Sequence, residues 1–164
     1  MGSGKTTIGR VLAPRFGLEF VDLDLQIERR CGVAVSLIFE IEGEAGFRAR
    51  EQAMLAAVTR RSGILLATGG GSVLDPVNRR LLRERGLVVW LQTSVDQQLK
   101  RLARDQRRPL LQAPDRRRRL EQLALERDPL YRECAHLIVR SADLSPRAMA
   151  GRVAKRIREH LSRA

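Results

Sequence analysis

The chain has 164 residues, with 31 Lys and Arg against 19 Asp and Glu, a formal charge of +12, two cysteines and 4% aromatic residues. That length fits one domain able to bury about 70% of its unfolded surface, so no disulfide scaffold is needed. Cys31 and Cys134 lack a C-x-x-C partner or a nearby His pair and indicate neither a metal site nor a redox pair.

No apolar stretch reaches the roughly 18 residues of a membrane helix, and no signal-peptide core opens the chain, so a soluble, cytoplasmic protein with no membrane partner is expected. Arginine is spread over every helical segment and aromatic stacking platforms are few. This favours a solvated Arg-rich surface and small polyanionic substrates over a specific nucleic-acid site.

In chain order, Gly2-Ser3-Gly4-Lys5-Thr6-Thr7 matches the second half of a Walker A loop, G-x-x-x-x-G-K-[ST], whose backbone N–H groups wrap phosphates at a helix N-terminus. Lys5 is suited to the β- and γ-phosphates and the Thr6 hydroxyl to Mg²⁺. A helix over about 5–16 follows, with Ile8, Val11 and Leu12 on its apolar face. Taking Gly4 as the motif's second glycine puts Met1 at its third position, so the first glycine and the preceding strand are expected to be missing. A sheet without that strand exposes unpaired backbone, and the 164-residue form is expected to be poorly stable and weakly active, with an N-terminal strand restoring ATP turnover.

Apolar runs with strand character lie at 18–21, 64–67, 87–91 and 136–139, separated by helical periodicity, which predicts a parallel α/β sheet. Asp22-Leu23-Asp24 follows the first run and puts two carboxylates on one side of an extended chain, facing the phosphates. Capping of the next helix is the other use open to them. Helix starts are expected at Ser36, Asp75, Ser94 and Ser145, stops at Gly32 and Gly86, and a helix over 44–61 buries Met54, Leu55 and Val58. Gly69-Gly70-Gly71 after the second run lets backbone approach a ligand. Between 105 and 119 the pattern dissolves into Arg and Gln with Pro109 and Pro114, and reads as a lid.

Arg48, Glu51, Leu55, then Leu65-Leu66-Ala67, the glycine triplet and Val73 together resemble the shikimate kinase signature. Arg107-Arg108-Pro109-Leu110-Leu111 and Asp128-Pro129-Leu130-Tyr131-Arg132 are also similar to segments of that family, so the resemblance spans the whole chain. It implies one domain over 1–164 with a three-layer P-loop fold and strand order 2-3-1-4-5, the first strand being the one absent. A substrate-binding region would cover about 23–51 and the lid about 104–119.

By the resemblance, the γ-phosphoryl group of ATP passes to the 3-hydroxyl of shikimate, giving ADP and shikimate 3-phosphate on the route to chorismate and the aromatic amino acids. ATP would lie on Gly2, Ser3, Gly4, Lys5, Thr6 and Thr7, with Arg101 against adenine. Mg²⁺ would take Thr6 directly and Asp22 through water. Shikimate would be held by Asp24, Arg48, Gly70, Gly71 and Arg132, with the arginines on its carboxylate. Lys5, Asp24 as base or orienting acceptor, and Arg108 on the γ-phosphate would carry catalysis.

Phe39 and Phe47 would line the ring, and Glu51 would hold Arg48 or touch substrate; helix packing and an i, i+3 ion pair explain these three equally well. Trp90 is expected in the core, and His136 and His160 in structural or solvent-facing places. A monomer is expected. The competing readings are another small P-loop kinase acting on gluconate or a nucleotide, and a nucleotide-binding module impaired by the cut loop.

Overall fold

The computed structural model describes residues 2–102 and 115–163. The expectations for Arg107, Arg108, Pro109, Leu110, Leu111 and Pro114 lie outside the described residues.

Helix α1 (Lys5–Leu12) is entered from Gly4, whose φ of 80° is left-handed and favours glycine there, and a 3-10 turn over Ala13–Phe16 completes the expected segment. Strand β1 (Glu19–Asp22) runs into α2 (Leu23–Cys31), which stops at left-handed Gly32 as expected. Helix α3 (Val35–Val58) carries a kink at Gly43, φ 69°. Ser36 is not its cap: the helix begins one residue earlier, after Ala34, and the Val35 N–H donates instead to Glu28 Oε1 at 2.9 Å.

Strand β2 (Ile64–Ala67) leads through the glycine triplet and a 3-10 turn (Ser72–Leu74) to α4 (Pro76–Arg85), where Asp75 accepts from the Val77 and Asn78 N–H groups. Gly86 ends α4 as expected, in extended backbone. Strand β3 (Val89–Gln92) precedes α5 (Val95–Leu102), whose Gln97 N–H donates to Ser94 Oγ at 3.3 Å. Helix α6 (Arg116–Cys134) starts at Asp115, which accepts from the Arg118 N–H. Arg116 to Arg119 therefore form a helical turn, where the sequence pattern showed no helix, because the Asp115 carboxylate caps it. Strand β4 (Leu137–Arg140) and α7 (Pro146–Leu161), capped by Ser145, close the chain.

The four described strands form two separate parallel pairs. β1 pairs with β2 in the register Glu19 to Ile64 through Asp22 to Ala67, and β3 pairs with β4 from Val89–Leu137 to Gln92–Arg140. These are the two halves of the expected order, and no described strand lies between them. One core joins Val21, Leu23, Ile27, Phe47, Leu55 and Val58 of β1, α2 and α3; a second joins α1 and α7 through Ile8, Leu12, Met149 and Val153, with Leu65 of β2 and Val89 and Leu91 of β3 packed on it. The α1–α7 layer thus holds both half-sheets by the same face.

Candidate active site

The loop ahead of α1 ends at a helix N-terminus, the arrangement that holds phosphate, and the Ile8 N–H makes the helix's first bond, to the Gly4 carbonyl at 2.8 Å. Gly2 and Gly4 both take positive φ, 66° and 80°. Arg101, at the end of α5, donates to the Gly2 carbonyl at 3.1 Å and to Ser141 Oγ and the Ala142 carbonyl at 3.0 and 3.3 Å, tying this loop to the turn after β4.

Asp22 takes up the capping role and also bonds to the phosphate loop. One carboxylate oxygen caps α2 by accepting from the Asp24 and Leu25 N–H groups, and the other accepts from the Thr6 hydroxyl at 2.9 Å. Asp24 is not on an extended chain, as i, i+2 alternation suggested; it lies in the first turn of α2, because the strand ends at Asp22. Its carboxylate still reaches the glycine triplet: a methyl group placed on Gly69 would sit 3.4 Å from Asp24 Oδ1 and 2.9 Å from Glu51 Oε1.

The triplet adopts no left-handed backbone. Glycine is needed at Gly71 for close approach, since a Cβ there would meet the Arg48 guanidinium at contacts far inside van der Waals distance. Arg48 is fixed from the other side by Glu51 at 2.6 Å and Glu44 at 3.0 Å. Burial pulls its pKa down, but the hydrogen bonds and charges of Glu51 and Glu44 outweigh this and leave it above the ordinary value. Glu51 is fully buried and accepts a second hydrogen bond, from Ser72 Oγ at 2.5 Å, while Asn78 donates to the Ser72 carbonyl at 3.1 Å. A buried carboxylate with two donors is the form in which such a group is tolerated inside a protein.

Across the triplet, the Tyr131 hydroxyl donates to the Gly70 carbonyl at 2.5 Å, and burial pushes the Tyr131 pKa up, opposed mainly by Arg127. Tyr131 lies against Trp90, ring centroids 5.5 Å apart, and the exposed Arg132 guanidinium is 5.8 Å from the Trp90 centroid. Trp90 is only partly buried and borders the site, where a core position was expected. Phe39 and Phe47 stack at 4.5 Å, and Phe47 carries Arg48 over its ring at 5.3 Å. Phe47 is itself 4% exposed, so it serves the core and supports Arg48 at once.

A cavity of about 530 Å³ runs past Ser3, Lys5, Gly69, Gly70, Asp128 and Tyr131. The phosphate loop and the glycine triplet therefore border one space, with Asp24 and Arg48 against the triplet and Arg132 beside Trp90. Sequence reasoning missed Ser72, Asn78 and Tyr131 as parts of the site. Ser72 follows the triplet directly, but nothing in its spacing reveals that its hydroxyl faces Glu51 on another helix.

A family profile described as shikimate kinase matches residues 1–158. The chain belongs to the shikimate kinase family. A shikimate kinase of Vibrio cholerae is 48% identical over 161 residues, covering 98% of this chain and 92% of that protein. One of Bordetella avium is 58% identical over 139 residues, covering 85% of this chain and 66% of that protein, so this chain spans about two thirds of that relative. Among solved structures, shikimate kinase from Acinetobacter baumannii in complex with shikimate matches with a TM-score of 0.93 and 46% identity, over 97% of this chain and 89% of that one. The fold of this chain is thus that of a kinase family.

Proposed function

We propose that this protein transfers the γ-phosphoryl group of ATP to the 3-hydroxyl of shikimate. The observation that carries the reading is the Arg48 guanidinium, held by Glu51 and Glu44 and laid against Gly71 with no room for a side chain between them. A planar, permanently charged fork pinned beside bare backbone suits a carboxylate on a small ring, and Arg132 supplies a second cation nearby.

In this reading the phosphates lie on the N–H groups of Gly4 to Thr7 and on Lys5. Asp24, beside the triplet, accepts from the ring hydroxyl and orients it toward the γ-phosphate. Phosphoryl transfer asks chiefly for alignment and charge neutralisation, which a preorganised cleft of fixed cations and N–H dipoles provides. Arg108 remains our candidate for the cation brought to the γ-phosphate. Mg²⁺ binds few protein groups and completes its shell with phosphate oxygens and water. The Thr6 hydroxyl and Asp22 carboxylate, 2.9 Å apart, fit that hard-oxygen donor set. When bound, Mg²⁺ would neutralise phosphate charge. A cytoplasmic monomer is the setting we assign.

The test is a panel of acceptors offered with ATP, product being read by mass spectrometry. Shikimate is expected to be the preferred acceptor. A preference for gluconate or a nucleoside monophosphate would overturn the reading, and ATP binding without any acceptor-dependent ADP would favour a nucleotide-binding module.

A further inference from the structure

The glycine triplet after β2 has no side chains to anchor it, so its orientation depends on what its backbone bonds to. The Gly69 and Gly71 carbonyls accept from the Ser72 and Leu74 N–H groups at 3.3 and 3.0 Å, both bonds within one turn of chain. The Gly70 carbonyl accepts from the Tyr131 hydroxyl at 2.5 Å, across 61 positions of sequence and from another helix. All three carbonyls are thus engaged by protein donors, and what the triplet offers a ligand is its N–H groups. In a trans peptide the carbonyl of one residue and the N–H of the next point in opposite directions. Drawing the Gly70 carbonyl toward α6 therefore turns the Gly71 N–H away from it.

Tyr131 is placed to hold that peptide. Arg127, 8% exposed, puts a side-chain hydrogen bond and its charge on the phenol oxygen. An arginine can only donate and a carbonyl can only accept, so the hydroxyl between them keeps its proton on the Gly70 side. The ring lies against Trp90 of β3, with 5.5 Å between centroids. Two residues further along α6, Glu133 accepts from Arg79 Nε at 3.0 Å, and the same guanidinium donates to the Val73 and Leu74 carbonyls at 2.8 and 3.2 Å. This stretch of α6 and the 3-10 turn after the triplet are therefore fixed to each other, which sets the hydroxyl against Gly70.

We propose that Tyr131 is a positioning residue for the phosphoryl acceptor: its hydroxyl sets the Gly70–Gly71 peptide so that the Gly71 N–H, beside the Arg48 guanidinium, donates to an oxygen of that substrate. An N–H next to a fixed guanidinium suits a carboxylate oxygen best, because both donors favour an anionic acceptor. Without the hydroxyl, the Gly70 carbonyl is free to turn and to bring an acceptor to a face that otherwise presents donors. The role rests on the reading that the acceptor lies beside the triplet, and measuring it with whichever acceptor the unaltered protein prefers lets a wrong acceptor and a wrong role for Tyr131 fail separately.

The experiment compares the unaltered protein with Tyr131→Phe, which keeps the ring on Trp90 and removes the hydroxyl. The KM for the acceptor is expected to rise roughly 3- to 12-fold, the worth of one hydrogen bond, while kcat and the KM for ATP stay within about twofold. Tyr131 is the chain's one tyrosine, so protein made with 3-fluorotyrosine is altered at this position alone and keeps its donor. Its acceptor KM is expected to match that of the unaltered protein. Amide exchange at Gly71, followed by NMR in the unaltered protein, is expected to slow at least about fivefold when the acceptor saturates the site; this measurement decides the question even if Tyr131→Phe fails to fold. An acceptor KM unchanged in Tyr131→Phe, one that rises in step with the KM for ATP, an equal rise with 3-fluorotyrosine, or no slowing at Gly71 would overturn the proposal.

Discussion

Arg48, to which we assign the carboxylate, illustrates how much of a side chain's placement is set by its neighbours. Its orientation depends on Glu51, and Glu51 is held in turn by the Ser72 hydroxyl at 2.5 Å. Replacing Ser72 by Ala leaves a fully buried carboxylate one donor short, at a cost of about 1–3 kcal/mol. Released from that anchor, Glu51 and Arg48 shift together. Ser72→Ala is expected to raise the KM for shikimate by roughly 3- to 10-fold while leaving the KM for ATP unchanged, which steady-state kinetics with each substrate varied would show. Equal changes in both constants would reduce Ser72 to a packing role. Asp24 and the triplet stand out by residue type and spacing, because charge and missing side chains are written in the sequence, and Arg48 through the family resemblance. Ser72 could not, since its role depends on which helix lies across from it.

At the level of elements, the junction of β3 and β4 contains a pH-sensitive contact. The Val88 N–H donates to His136 Nδ1 at 3.0 Å, a bond available only while that nitrogen is unprotonated. Burial, then Arg83 and His160, lower the His136 pKa from 6.5. The unfolded chain therefore takes up a proton there more readily than the folded one, so stability rises with pH and falls as pH drops below about 6.5. Thermal melts from pH 5 to 8 are expected to show this loss, and His136→Asn, which keeps an acceptor but does not titrate, should flatten the profile. An unchanged profile in the variant would assign the effect elsewhere.

Element identity was legible because both periods of apolar residues are clean, and the strands at 64–67 and the caps at Asp75 and Ser145 fall where the pattern puts them. The failures are contextual. Ser36 lost the start of α3 to Glu28, seven residues before Val35 in the chain, and Asp115 turned four arginines into a helical turn.

On the scale of the whole molecule, two half-sheets held by a common helix layer place the phosphate loop and the glycine triplet along one cavity, with Asp24 and Arg48 against the triplet. The pairing of the strands could be expected from the family resemblance, whereas the way Trp90 lies against Tyr131 follows from packing that spacing does not encode. The account's central claim is that this single cleft reads a carboxylate through Arg48 while it holds ATP. It is tested most directly by comparing kcat/KM for shikimate and for shikimate methyl ester, in the unaltered protein and in Arg48→Ala. Charged hydrogen bonds of this kind correspond to a preference for the free acid of roughly 10- to 100-fold in the unaltered protein. Most of that preference should vanish in Arg48→Ala; the same preference in both proteins would contradict the account.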